Sequence, residues 1–274
     1  MLADAQDLSF RPAQPTSLRR LGAANIEQYN TQGFCQPFAI FGPDEISGIR
    51  AYVDNLMHEM GDAGSYGINC YQARLSGIYD IATDRRILDC VEDIIGPNIL
   101  CWATAVLSKR PKDPKRVPWH QDASFWKLDP ARTVTVWLAI DDADASNSAM
   151  RFIPGTHTMG ALPESSRDEA SVFHKGTANA EALGTPFTNA LRAGEISLHA
   201  DMLVHGSLPN TSDRRRCGLT LRYCPPEVRI TDSTWARGVE AIQCRGTSGN
   251  WKTHPRPENN DITKTSSPHV VGNN

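Results

Sequence analysis

Four residues of this chain have types and spacings that can bring a metal ion and a carboxylate together: His120, Asp122, His205 and Arg216. The first two lie in Trp119-His120-Gln121-Asp122. On a strand or at its end, His-x-Asp puts an imidazole and a carboxylate on one face, because strand side chains alternate with a period of two. That pair alone is a short pattern that arises often by chance. A later histidine, in His205-Gly206-Ser207, completes a set of two imidazoles and one carboxylate. Such a facial set leaves coordination positions open and is the donor set of iron(II) oxygenases. Zinc hydrolases use the same ligand types, so the set does not by itself name the metal. Arg216 follows His205 by 11 residues and opens an apolar run, Cys217 to Tyr223. A turn between neighbouring antiparallel strands returns Arg216 beside His205, where a guanidinium can grip a carboxylate through two hydrogen bonds. A metal with a carboxylate clamp beside it suits a chelating keto acid, held on the metal by its 1-carboxylate and 2-oxo group and by arginine at its far end.

The elements that position these residues follow from periodicity. A short helix is expected from Ala24 to Gln32, ending near Gly33. A stronger one runs from Asp44 to about Met60, with Ile46, Ile49, Val53, Leu56 and Met57 on one stripe. A third covers Asp84 to Ile95 and is closed by Gly96-Pro97. The period then changes: Ile99 to Ser108, Thr133 to Ile140, Arg151 to Ile153, Ile196 to Val204 and Cys217 to Tyr223 read as strands. Helices first and strands after, without alternation, disfavour a doubly wound parallel sheet. A mainly β fold, a sandwich or jelly roll flanked by N-terminal helices, fits better. Residues 1–22 read as a leader without periodic signal and 23–274 as one domain. The polar connection from 158 to 193 reads as a lid, binding loop or insertion.

Composition excludes several classes. With 40% hydrophobic and 22% charged residues the chain can build a large core, so wholesale disorder is excluded. A formal net charge of −3 argues against a nucleic-acid partner. No run approaches the roughly 18 apolar residues of a membrane span, so no membrane partner is expected. The seven cysteines (35, 70, 90, 101, 217, 224 and 244) include no C-x-x-C pair, and the opening MLADAQDLSF carries acids where a secretory leader needs bases. A reduced, cytoplasmic protein is the expectation, with Cys217 and Cys224 in the core. The sequence does not set the oligomeric state.

These residues resemble the phytanoyl-CoA dioxygenase family of iron(II), 2-oxoglutarate oxygenases. The resemblance runs from about Ile26 to Tyr223. It rests on Tyr29 with Gly33-Phe34, on Ile95-Gly96-Pro97-Asn98, on Trp119-His120-Gln121-Asp122, on Ile153-Pro154-Gly155-Thr156-His157, and on His205-Gly206-Ser207 with Asn210 and Arg216. It implies a double-stranded β-helix, with iron(II) on His120, Asp122 and His205. By the same resemblance Ser207 and Arg216 hold the distal carboxylate of 2-oxoglutarate, and Trp137 lines that pocket. Dioxygen is the other co-substrate, and ascorbate is expected to support turnover in vitro. Two departures from the family pattern are Asn147-Ser148-Ala149-Met150 in place of a glycine-rich turn, and Glu195 where Asp is commoner; both are expected to lie away from the metal. Relatives that halogenate lack the carboxylate ligand, so Asp122 points to hydroxylation.

Lys109, Arg74, Tyr71, Gln72 and Trp126 are the candidate substrate contacts. Inward-facing Arg74 and Lys109 would suit a small anionic metabolite such as an amino acid, a carboxylate or an aminophosphonate. His199, six residues before His205 and expected on the same side of one strand, is read as a packed or pocket-lining residue. His157 is read as a loop brace, His174, His254 and His269 as surface residues, and Arg214 and Arg215 as a solvated turn. The competing readings are the same cofactors used for desaturation, cyclisation or epoxidation, a non-catalytic metabolite sensor, and a zinc hydrolase in which Arg216 has no evident task.

Overall fold

The structure, a computed structural model, describes residues 6–165, 171–173 and 175–268. His174, His269, residues 1–5 of the leader and residues 166–170 of the 158–193 connection lie outside the described residues. The helices are α1 (Ala23–Gln32), α2 (Pro43–Glu59), α3 (Ser76–Ala82), α4 (Arg85–Ile95) and α5 (Ser233–Gly238). Strands β1 (Phe34–Ala39), β2 (Ile99–Lys109), β3 (Val117–His120), β4 (Leu128–Asp129), β5 (Val134–Ala139), β6 (Arg151–Phe152) and β7 (Glu164–Ser165) come first. They are followed by β8 (Gly176–Thr177), β9 (Phe187–Thr188), β10 (Glu195–Ala200), β11 (His205–Ser207), β12 (Arg216–Cys224), β13 (Arg229–Ile230) and β14 (Ile242–Arg245).

Local chemistry explains the helix ends. α2 starts at Gly42-Pro43, where proline removes a donor that has no helical partner, and the Glu45 carboxylate accepts from the Gly42 N–H at 2.9 Å. Asp84 caps α4 by accepting from the Arg86 N–H, and the helix stops at Gly96, whose φ of +91° favours glycine. The expectation that all helices precede the strands is corrected by β1. Its run Phe34-Cys35-Gln36-Pro37 follows α1 directly and pairs with β10 at the edge of the large sheet.

Two antiparallel sheets form a double-stranded β-helix that does not close into a barrel. The larger has the order β1-β10-β5-β12-β2-β14 and the smaller β3-β11-β6-β9. In the large sheet the alternation is plain in the sequence. Cys217, Leu219, Leu221 and Tyr223 of β12 join Val134, Val136 and Leu138 of β5 and Ile196 and Leu198 of β10 in the main core, where α1, α2 and α4 also bury their stripes. The intervening residues, among them Arg216, Thr220, Arg222, Thr135, Trp137 and His199, face the other way and line a cavity between the sheets. Burying one face in the helical layer therefore fixes which side chains the other face presents, because a one-residue slip would invert both.

One strand expectation is corrected. Ile196 to Val204 is not a single strand: β10 ends at Ala200, and residues 201–204 carry the chain from the large sheet to the small one. The corner is fixed by Asp201, whose carboxylate accepts from the Thr133 N–H at 2.8 Å. His199 and His205 therefore lie on different sheets. All seven cysteines are free thiols, and Cys217 and Cys224 are in the core.

Candidate active site

His120 and His205 are directly opposed in the β3–β11 ladder, with ring centroids 4.1 Å apart. Cross-strand pairing thus does what the His-x-Asp spacing could not do alone. Asp122 is not on the strand: β3 ends at His120, and Asp122 opens a one-turn 3-10 segment that swings its carboxylate back. Asp122 Oδ1 lies 3.4 Å from His120 Nε2 and 4.0 Å from His205 Nε2, and the three candidate ligand atoms lie within 4.8 Å of one another.

The ring orientations are set by the backbone. His120 Nδ1 lies 2.8 Å from the Pro118 carbonyl and His205 Nδ1 lies 2.9 Å from the Leu203 carbonyl. A carbonyl only accepts, so each ring carries a proton on Nδ1 and turns Nε2 towards Asp122. Burial, with His120 beside it, pushes the His205 pKa well below its ordinary value and keeps the ring neutral. Burial alone would raise Asp122. The His120 and His205 rings and the Arg222 guanidinium beside it outweigh this and hold the carboxyl well below the usual carboxylate range. Two imidazoles and one carboxylate, all buried, are a donor set that fits a divalent first-row metal.

Arg216 and His205 are not ladder neighbours, which corrects the expectation of a simple turn between adjacent strands. Arg216 opens β12 in the large sheet, opposite Lys109, and reaches the site across the cavity. Its Nη2 donates to Ser207 Oγ at 3.4 Å, its Nε donates to the Ser148 carbonyl at 3.1 Å, and its guanidinium stands 5.7 Å over the Trp137 ring. Arg216, Ser207 and Trp137 all line the cavity that holds the three candidate ligands. Lys109 sits behind Arg216, donating to Ser148 Oγ at 3.1 Å and to the Leu208 carbonyl. Burial and the neighbouring Arg216 charge lower its pKa to about 7. The Asn147-Ser148-Ala149-Met150 departure is thus part of the arginine clamp: Ser148 adopts φ +68° and its carbonyl and hydroxyl serve Arg216 and Lys109, while Met150 lines the cavity.

Gly218, two residues on from Arg216, faces Trp137 so closely that a Cβ would lie 2.2 Å from Trp137 Cζ2. Gly218→Ala should therefore displace the indole. We expect a loss of about 1–3 kcal/mol of stability, read by denaturant unfolding. The same variant should bind 2-oxoglutarate more weakly; unchanged stability and binding would contradict the packing described.

The other candidate substrate contacts lie outside that cavity lining. Arg74 is bound to Glu240 at 2.6 Å and to Ser266 Oγ at 2.7 Å. Gln72 accepts from Thr104 Oγ1 at 3.0 Å and donates to the Glu240 carbonyl at 2.8 Å, and Tyr71 is in the core. Trp126 packs edge-on to Trp102 at 4.7 Å. His199 lines the cavity, its ring 4.8 Å from that of His205. His157 is buried with Nε2 3.1 Å from the Asn30 carbonyl, which braces the loop against α1. Arg214 and Arg215 carry ion pairs to Asp144 and to Asp141 and Asp54. Sequence reasoning missed Gln121, which donates to the Gly160 and Met202 carbonyls at 2.9 Å each and accepts from the Leu162 N–H. It pins the His-Gln-Asp segment to the neighbouring loops. It also missed Arg222 and Thr135, although both stand at inward positions of strands whose alternation was legible.

The fold and this site define a class, the non-haem oxygenases built on a double-stranded β-helix. A family model described as phytanoyl-CoA dioxygenase (PhyH) matches residues 29–218, and the chain belongs to that family. Enzymes of this family use iron(II), 2-oxoglutarate and dioxygen. The chain is 24% identical over 162 residues to the peroxisomal phytanoyl-CoA dioxygenase of Bos taurus, a match covering 57% of this chain and 48% of that protein. It thus spans about half the length of such curated relatives. Among solved structures, the non-haem monooxygenase ThoJ is similar at 27% identity with a TM-score of 0.74, covering 85% of this chain and 88% of that one. The carbocyclase SnoK from nogalamycin biosynthesis shares the fold at 20% identity and a TM-score of 0.66, covering 79% and 89%. Among the described residues no helix is long and apolar enough to cross a membrane.

Proposed function

We propose that this protein is an iron(II), 2-oxoglutarate-dependent dioxygenase that hydroxylates a C–H bond of a small polar or anionic metabolite. The observation that carries the reading is one cavity holding both a facial set of three ligand atoms within 4.8 Å and a buried arginine with Ser207 at its tip. When bound, iron(II) supplies dioxygen activation, coupled to conversion of 2-oxoglutarate into succinate and carbon dioxide with one oxygen atom delivered to the substrate.

The chain's own residues do the positioning. His120, Asp122 and His205 would hold the metal on one side and leave the cavity side open. Arg216 and Ser207 would take the distal carboxylate, with the Ser148 carbonyl holding the guanidinium at the angle that presents its free N–H groups. Trp137 walls this end, and Phe173, 4.9 Å from the His120 ring, covers the imidazole on another side and excludes water. In this reading residues 23–274 form one oxygenase domain, and the 158–193 connection supplies Phe173 to its wall.

Succinate formation under air with iron(II), ascorbate and 2-oxoglutarate is the test, run on wild type and His205→Ala with small amino acids, carboxylates and aminophosphonates. We expect succinate that depends on His205 and rises with at least one candidate. Product mass separates hydroxylation, a gain of one oxygen atom, from desaturation, a loss of two hydrogens. Succinate unaffected by His205→Ala would overturn the reading.

A further inference from the structure

Directly across the large sheet, His199 of β10, Thr135 of β5 and Arg222 of β12 are register partners, and all three line the cavity. Each carries a polar atom buried from solvent and without a hydrogen-bond partner: both ring nitrogens of His199, the hydroxyl of Thr135 and Nε of Arg222. His199 and Thr135 are each 1% exposed. Arg222 makes no ion pair among the described residues; its guanidinium is held instead over the Trp126 ring at 5.2 Å, and Trp126 is itself fixed against Trp102. Unpaired buried donors on three adjacent strands are costly, and such a row persists where a ligand completes it.

Charge balance says what kind of ligand. The cavity is lined by one acid, Asp122, and two permanent cations, Arg216 and Arg222. Under the proposed function, a divalent metal is balanced by Asp122 and the metal-bound carboxylate of 2-oxoglutarate, and Arg216 by the distal carboxylate. Arg222 is then left as an unbalanced cation. It stands six residues along β12 from Arg216, roughly 20 Å of extended strand, so one small keto acid does not reach both.

We propose that Arg222, with Thr135 and His199, is the subsite for an anionic group on the substrate. Arg222 supplies the charge and a planar pair of donors, and the Thr135 hydroxyl and the His199 ring complete the contacts. The inference rests on the proposed function and names its substrate class: a small metabolite bearing a carboxylate, phosphate or phosphonate. Trp126 holds Arg222 in place without touching the ligand.

The test begins with protein saturated anaerobically with iron(II) and 2-oxoglutarate, so that Arg216 is already occupied. Acetate and inorganic phosphate are then titrated separately, each followed by the visible charge-transfer band of the iron complex and by melting temperature. Saturable binding of at least one anion is expected, weakened about 10- to 100-fold in Arg222→Gln and largely recovered in Arg222→Lys. Thr135→Val, which preserves shape, should weaken it to a smaller extent. Preference for acetate assigns a carboxylate substrate, and preference for phosphate a phosphate or phosphonate. Three results overturn the inference while the proposed function stands: neither anion binds wild type, Arg222→Gln binds as wild type does, or Arg222→Gln loses 2-oxoglutarate instead of the anion. Absence of the band in wild type before any anion is added is a failure of the underlying function and removes the inference with it.

Discussion

Asp122→Ala is expected to abolish turnover and to lower iron(II) affinity by at least about 100-fold, more than the loss of an outer partner of a ligand usually costs. Asp122 is the one carboxylate of the candidate ligand set, and the surrounding rings and Arg222 keep it ionised despite its burial. Without it, two imidazoles face a divalent ion in a buried site with no protein carboxylate to offset its charge. Asp122→Glu should not restore activity, because the 3-10 turn fixes the backbone and an added methylene moves the oxygen off the point where His120 Nε2 and His205 Nε2 converge. Iron content after anaerobic dialysis, read beside succinate formation, checks this. An Asp122→Ala protein that retained stoichiometric iron and turnover would remove Asp122 from the site.

Arg216→Gln is the second large effect. It should raise the KM for 2-oxoglutarate by about 10- to 100-fold, the worth of a charged hydrogen-bond pair in a buried setting, with iron binding unchanged. Arg216→Lys should recover part of this at most, since a compact ammonium cannot reproduce a guanidinium that spans Ser148, Ser207 and the far carboxylate together. Separate titrations of iron and of 2-oxoglutarate distinguish the two roles. Equal loss of both in Arg216→Gln would mean that the arginine supports the fold or the metal instead of the keto acid.

The parts of this protein that were legible in the sequence are those fixed by local chemistry. Capping at Gly42-Pro43 and Asp84, the apolar stripe of α2, and the strict alternation of β5, β10 and β12 all follow from short-range rules, and so did the mainly β architecture. The candidate metal-ligating pattern was visible because it depends on residue type and a spacing of two. What stayed hidden depends on which sheet a strand joins. His199 and His205 read as one strand, because nothing in Ala200-Asp201-Met202-Leu203 marks a crossing; the crossing is enforced by Asp201 bonding to the Thr133 backbone, a contact between residues 68 apart. Arg216 was brought to the site by the wrong route for the same reason. Arg74 and Gln72 were drawn towards the substrate by analogy, while Glu240, on which both bond, is more than 160 residues away in sequence. Arg222 escaped notice because its context, Leu221-Arg222-Tyr223, is that of an ordinary strand cation until the register with Thr135 and His199 is known.

The central claim is that one cavity holds iron(II) and 2-oxoglutarate together. Its most direct test is the anaerobic addition of 2-oxoglutarate to iron(II)-loaded protein, followed by visible absorption, on wild type and His205→Ala. Wild type should develop the charge-transfer band of an iron-bound 2-oxo acid, saturating at one equivalent per chain, and His205→Ala should not. Wild-type protein that binds iron stoichiometrically and develops no band would contradict the claim.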